Sequence, residues 1–433
     1  VNSVVVALQQ LQHALNAEFA DAPGLQQLSF AISLSDASDA LAWLTSQHLY
    51  PQFYWQQRNG HDEIAALGAV RQFETLDAAR AFLDDYARKP TVRIAGVNAF
   101  SPTTSFLFLP RLEWRRSGGE ALIFLNLFSE SSLQEDALAA HQFLEQLLPT
   151  KQLPLQRLNC VGEQHIPAEP EWQRMVERAT TAIEKHELDK VVLARATDLQ
   201  FTAAVSAAGF MAASRRVNLN CYHFLMVFDA NHAFLGSSPE RLWRRIGTAL
   251  RTEALAGTVA NHPDDHRAWS LGQWLLKDDK NQRENMLVVE DICQRLHKTV
   301  GAIDVLPPQI VRLRKVQHLR RCIWTDLVQP DDAACLAMLQ PTAAVAGLPR
   351  DVARDFIARN EPFEREWYAG SAGYLSQRQA EFCVALRSAK VTNNIVRLYA
   401  GAGIVAGSDA AEEWQEIENK AAGLRTLLMK TTF

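Results

Sequence analysis

Residues 394–420 read NIVRLYAGAGIVAGSDAAEEWQEIENK, and two periods meet inside this stretch. NIVRLYAGAGIV is branched, aromatic and then continuously apolar, the pattern of a strand covered on both faces. Ser408 and Asp409 are N-cap residues, and Asp409 with Glu412 three places later resembles a capping box, so a helix is predicted over 409–430. The same alternation of buried strands and capped helices extends outward. DKVVLARATDLQF, CYHFLMVF, AFLGSSPERLWRR, LRTEALAGTVA, VQHLRRCIWTDL, WYAGSAGYLS and EFCVALRSAKV read as further strands, several too apolar to be solvated on either face. Helices are predicted at 265–297, 331–339 and 350–360, and Trp172, Met175, Val176, Ala179 and Ile183 mark one face of another. Strands in runs with helices between the blocks predict an α+β fold, a sandwich of large antiparallel β-sheets covered by helices. No repeat period is present.

Toward the N-terminus, Val5, Leu8, Leu11 and Leu15 form a helical stripe, and YPQFYWQQR, FLFLPRLEWRR and ALIFLNLF read as strands. Nothing catalytic stands out before about residue 150, where LPTKQLPLQRLNCVGEQHIPAEPEW is the expected linker. The expected division is an N-terminal α/β subdomain over 1–150, contributing to the scaffold, and a catalytic region over 170–433.

The 433 residues, 48% hydrophobic, are enough to bury a large core. A net charge of −5 offers no footprint for nucleic acid. The short basic runs, Arg241 with Arg244 and Arg245 and then Arg312 to Arg321, are read as strand surfaces. Six cysteines without CxxC spacing suggest neither a zinc site nor a disulfide framework, and a reducing cytoplasm fits them best. No apolar run reaches bilayer length and the first residues lack the pattern of a signal peptide, so no membrane partner is expected.

The chemistry concentrates in the second half. Glu413, Glu416 and Lys420 fall three and four apart on one helix face, which is either a solvated surface or an inward face holding a cation. Glu412 and Glu418 are assigned to the solvated side. Just upstream, Gly401 and Gly403 either bend a strand end or bring backbone N–H groups to an anion. In DDKNQRENMLVVEDICQRL, Met286, Leu287, Val289 and Ile292 are expected to be buried, with Glu284 at the start of the apolar stretch. Carboxylates from two helices, completed by water and a substrate oxygen, suit Mg²⁺. His318 on an apolar strand is a core histidine or a site residue. Arg387, in EFCVALRSAKV, needs a partner: a bound carboxylate or an internal salt bridge. Tyr368 stands ready to share that load. Lys190 and Glu240 are either surface residues or, if buried, a general base and a general acid.

The stretches ELDKVVLARA, GSSPERL, RTEALAGTV, PTAAVAGLPR, YAGSAGY, ALRSA, YAGAGIVAGSD and EEWQEIENKA together resemble the chorismate-utilising enzymes, a group that includes isochorismate, salicylate, anthranilate and aminodeoxychorismate synthases. The resemblance covers roughly residues 170–430 in motif order, and YPQFYWQQR and LPRLEWRR are similar to the menaquinone-pathway isochorismate synthase branch. It implies the chorismate-binding fold of anthranilate synthase component I and reversible, Mg²⁺-dependent conversion of chorismate to isochorismate. It implies Glu284 and Glu416 as Mg²⁺ ligands with Glu413 supporting metal-bound water. Arg387, Tyr368 and the Gly401–Gly403 backbone would hold the enolpyruvyl carboxylate, with Thr258 beside the ring. Lys190 would be the base that activates water and Glu240 the acid that protonates the departing hydroxyl. Lysine at position 190 points away from the nitrogen-installing relatives and from any glutaminase subunit. A salicylate synthase, a siderophore-pathway isochorismate synthase and a non-catalytic chorismate binder remain the alternatives.

Overall fold

The computed structural model describes residues 3–37, 40–153 and 157–429; residues 154–156 of the expected linker and residue 430 of the expected last helix lie outside them. Hydrogen bonding joins twenty strands among the described residues. One layer runs in the order β1 (Gly24–Ile32), β6 (Glu120–Ser129), β5 (Ser105–Ser117), β3 (Glu63–Phe73), β2 (Gln52–Gln56), β9 (Tyr222–Asp229), β10 (His232–Ser238), β19 (Ser388–Thr392), β20 (Ile395–Ile404), β8 (Lys190–Phe201) and β7 (Cys160–Ile166). A second leaves β5 through β4 (Ile94–Asn98) and continues as β17 (Ser371–Leu375), β18 (Gln379–Val384), β11 (Arg241–Ile246), β12 (Ala249–Ala260) and β15 (Val316–Asp326). β15 also pairs with β13 (Asp304–Val305) and β14 (Gln309–Arg312), and β16 (Gly347–Leu348) pairs with the start of β8.

The strands are apolar on both faces because both faces are covered. Between the layers Phe53, Trp55, Phe224 and Met226 meet Trp243, Phe382 and Ala372 in one core, and Trp55 donates its indole N–H to the Ala372 carbonyl at 3.1 Å. Each large side chain so buried contributes roughly 1.5–3 kcal/mol. Helices Val4–Ala14, Ala40–Thr45, Leu133–Glu145 and Ala207–Val217 cover the outer face of the first layer. The helix Glu169–Glu184 seals β8 and β20 with Trp172, Met175, Val176, Ala179 and Ile183, the five residues its period picks out.

Local readings needed correction where a side-chain pattern hid a break. The stretch expected as a linker carries β7, paired with β8, and β2 of the N-terminal part pairs with β9, so the sheet crosses the expected boundary. The helix expected over 265–297 is two, Asp265–Lys277 and Asp279–Leu296, because Asp278 ends one and accepts from Asn281 N to cap the next. Its buried face is Asn285, Val288, Val289, Ile292 and Leu296, while Met286 is exposed; Glu284 is one turn from Val288 and therefore shares the inward side. Arg245 is no surface residue: its buried guanidinium grips Asp332 at 2.8 and 2.9 Å. EFCVALRSAKV is two strands, β18 and β19, with Arg387 in the bend between them at φ +48°.

Candidate active site

The last helix, Ala410–Leu428, starts where its caps place it, with Asp409 accepting from Glu412 N at 3.1 Å. Its face at 413, 416 and 420 turns inward toward the helix Asp279–Leu296. Glu413 is buried and pairs with Lys280 Nζ at 3.2 Å, and Lys420 lies 3.9 Å from Glu416 and donates to the Gly401 carbonyl at 2.9 Å. Glu412 is solvated as expected, and Glu418, a third exposed, combines that solvated side with an ion pair to the buried Arg195. Burial raises the Glu413 carboxyl, and the charge and hydrogen bond of Glu416 raise it further. Burial pushes Glu416 up as well, yet Lys420 and hydrogen bonds from Glu413 and Thr258 outweigh it and hold that carboxyl low. Of the two, Glu413 is thus the weaker acid and Glu416 the stronger.

Beside this acidic face lies a cleft lined by Glu240, Thr258, Glu284, His318, Tyr368 and Arg387, with Gly401 and Gly403 in its wall. Lys190, Glu413 and Glu416 are set behind that lining. Lys190 opens β8, is fully buried, and places Nζ 3.3 Å from Glu284 Oε1 without hydrogen-bonding geometry. Its nearest opposite charge is thus a carboxylate.

The two glycines act through missing side chains. Both sit in regular β20, opposite Ala194 and Val192 of β8, and neither has a positive φ. A Cβ at Gly401 would stand 2.8 Å from Tyr368 Oη; one at Gly403 would stand 2.9 Å from Lys190 Cε and collide with the Glu284 carboxylate. Their absence leaves room for the side chains of Tyr368, Lys190 and Glu284 against the strand.

A bulge aims Thr258. The β12–β15 register shifts between Leu255 and Thr258, where Gly257 takes φ +99°. Asn281 Oδ1 accepts from Thr258 N at 3.0 Å, and Thr258 Oγ1 lies 3.0 Å from His318 Nδ1. Burial, with Arg387 and Lys420 nearby, holds the His318 pKa far below its ordinary value. The imidazole is neutral, so Nε2 accepts from Arg387 Nη2 at 2.5 Å and the proton sits on Nδ1, facing Thr258 and the Gly257 carbonyl at 3.3 Å. A hydrogen-bonded line thus runs from Arg387 through His318 and Thr258 to Glu416. The left-handed backbone at Arg387 is uncommon for a residue with a side chain and concentrates at functional sites. Its Nε is buried without a partner, a donor left for a ligand.

Glu240 occupies the two-residue gap between β10 and β11. It is buried, its Oε2 has no hydrogen-bond partner, and burial reinforced by the charge of Glu253 raises its pKa to about 8. It is a protonated acid facing a cleft at neutral pH. Tyr368, raised to about 12 by burial, is likewise a neutral donor, stacked on Tyr399 with ring centroids 5.0 Å apart.

The donor chemistry at Glu284, Glu413 and Glu416 fits a hard divalent cation: oxygen only, carboxylate-rich, and compensated here by Lys190, Lys280 and Lys420. Among the described residues no three acidic, imidazole or thiolate groups close into a cage by themselves. Such a set leaves ligand positions to water and substrate. Lys280, Asn281 and Lys420 were not singled out as site residues from sequence; Lys420 alone had a signal there, one turn from Glu416.

Known proteins carry the same architecture. A family model described as chorismate binding enzyme matches residues 93–429. Isochorismate synthase MenF of Escherichia coli (strain K12) is 63% identical over 428 residues, 99% of each chain. The solved structure of MenF, the menaquinone-specific isochorismate synthase from Escherichia coli, superposes with a TM-score of 0.96 at 63% identity, covering 99% of this chain and 100% of that one. Anthranilate synthase component I from Streptococcus pneumoniae TIGR4 shares the fold, with a TM-score of 0.66 at 22% identity over 94% of this chain and 93% of that one. The α+β sandwich expected from the strand runs is the fold observed.

Proposed function

The chain belongs to the chorismate-binding enzymes, and from that premise we propose how this isochorismate synthase of menaquinone biosynthesis uses its cleft to interconvert chorismate and isochorismate. Water adds at ring C2 while the C4 hydroxyl leaves, so one water enters and one departs. Hydroxide is a poor leaving group and water a poor nucleophile, which is why the reaction needs an acid and a base at separate positions. Glu240 gives its proton to the departing hydroxyl, and Lys190 takes one from the attacking water. Reversal exchanges the two roles.

The substrate is a dianion. Arg387, with its unpartnered Nε, and the neutral phenol of Tyr368 hold the enolpyruvyl carboxylate in the space left by Gly401 and Gly403. His318 accepts from Arg387 and so fixes the guanidinium, while Thr258 lies beside the ring. Glu284 and Glu416, with Glu413 in support, are the residues that would hold Mg²⁺. That ion, when bound, neutralises and anchors the ring carboxylate. With water as the nucleophile the reaction needs no glutaminase subunit. Among the described residues no helix is long and apolar enough to cross a membrane.

The observation that carries this reading is Glu240, a buried, partnerless carboxylic acid in the same cleft as Arg387 and Tyr368. Incubation with chorismate and Mg²⁺ followed by product identification tests it. Isochorismate alone is expected; salicylate with pyruvate would make the chain a salicylate synthase, and unchanged chorismate would make it a binder.

A further inference from the structure

The backbone around Glu240 is held from far along the chain. Arg58 lies in the turn after β2, where Gly60 N donates to the Gln57 carbonyl at 2.9 Å. Its guanidinium reaches Glu253 of β12 with both nitrogens, Nη2 to Oε1 at 2.7 Å and Nη1 to Oε2 at 2.9 Å. Nη1 also donates to the Pro239 carbonyl at 2.9 Å, and Glu253 Oε2 accepts from Arg241 N at 3.2 Å. One ion pair, with Glu253 buried and Arg58 nearly so, therefore fixes the carbonyl just before Glu240 and the N–H just after it.

We propose that Arg58 and Glu253 are positioning residues for the catalytic acid, fixing the peptides on either side of Glu240 so that its otherwise unheld carboxyl stays aimed into the cleft. The proposal rests on Glu240 being the acid. It assigns a task at the site to the N-terminal part of the chain, since Arg58 precedes the 93–429 match to the chorismate-binding family. The geometry is demanding: only a forked, planar donor grips a carboxylate with two nitrogens and a carbonyl with one of them.

The pair also sets the charge around the acid. Facing Glu240 are Glu253 from β12, Arg58, Lys190 from β8 and Arg387 from the bend after β18, and of these Glu253 alone opposes ionisation. Glu253 itself would be raised by burial, but Arg58, with Arg320 and Arg241 beyond it, keeps it ionised. Removing that negative charge makes Glu240 a stronger acid that loses its proton at lower pH.

Two variants separate position from charge. Arg58→Met combined with Glu253→Gln removes the pair together, leaving neither charge stranded in the interior. Its kcat is expected to fall about 10- to 100-fold with KM within about twofold, the signature of a displaced catalytic group. Glu253→Gln alone keeps an acceptor for Arg58 and Arg241 N, and the alkaline limb of its kcat–pH profile is expected to move down by about one pH unit. In a Glu240→Gln background neither change should cost further turnover. Wild-type kcat in the double variant, an unmoved limb in Glu253→Gln, or losses that multiply in the Glu240→Gln background would each overturn the proposal. If Glu240→Gln itself turns over normally, the assignment of the acid fails first.

Discussion

Replacing Gly403 by alanine separates the site from the fold. The new Cβ would sit 2.9 Å from Lys190 Cε and 3.2 Å from Glu284 Cδ, on top of the carboxylate. Both obstacles are ends of flexible side chains, so the strand can keep its register while the Lys190–Glu284 pair shifts by an ångström or so. Overpacking a well-filled interior costs about 1–3 kcal/mol, and this one should lie at the low end. For a chain of this length each kcal/mol moves Tm by about 1 °C, so the expected loss is about 1–2 °C. A displacement of about 1 Å at a catalytic group is instead worth about 100-fold in rate. Gly373→Ala is the control. There the Cβ would stand 2.8 Å from Phe382 Cα and 2.9 Å from the Glu381 carbonyl carbon, both backbone atoms that cannot swing aside, so stability should fall well below that of Gly403→Ala. Melting curves and kcat/KM for chorismate compare the two. If Gly403→Ala keeps near-native kcat/KM, or loses activity only in step with a Gly373→Ala-sized drop in Tm, the crowding reasoning is wrong.

Lys190→Ala should abolish turnover while calorimetry still detects chorismate binding; a wild-type rate would remove Lys190 from the mechanism. Because Glu240 acts in its protonated form and its pKa lies near 8, kcat should hold below that value and decline as pH rises through it, a limb that should be missing from the much reduced residual turnover of Glu240→Gln. Prolonged chelation should silence the enzyme and Mg²⁺ should restore it, with full activity in chelator arguing against the role given to Glu284 and Glu416. Arg245→Met leaves Asp332 buried with less compensation and should cost about 3 kcal/mol in urea unfolding while sparing KM.

The legibility of this protein divides along the range of its interactions. Strand runs, the caps of the last helix and the five-residue stripe on Glu169–Glu184 were readable because caps and periods are local: Asp409 needs only Glu412 N three residues away. Local pattern misled where a break changed no hydrophobicity. Nothing in EFCVALRSAKV marks the bend that puts Arg387 at φ +48°, and nothing in the run from 265 to 297 but Asp278 marks the end of one helix and the start of the next. Glu413 and Glu416 were visible as a face, but whether that face met water depended on the helix Asp279–Leu296, more than a hundred residues upstream.

Composition, period and motif order by themselves determined the sandwich class, the helix–strand alternation and the set of residues worth placing. Tertiary structure alone decided that Gly401 and Gly403 serve by leaving room, that His318 is neutral and accepts from Arg387, and that Arg58 reaches the Pro239 carbonyl beside Glu240 across 181 positions of sequence. The physical reason is common to all three. Crowding, protonation and a shared hydrogen bond depend on which atoms stand within a few ångströms, and in an antiparallel sandwich those atoms come from strands that sequence separates widely.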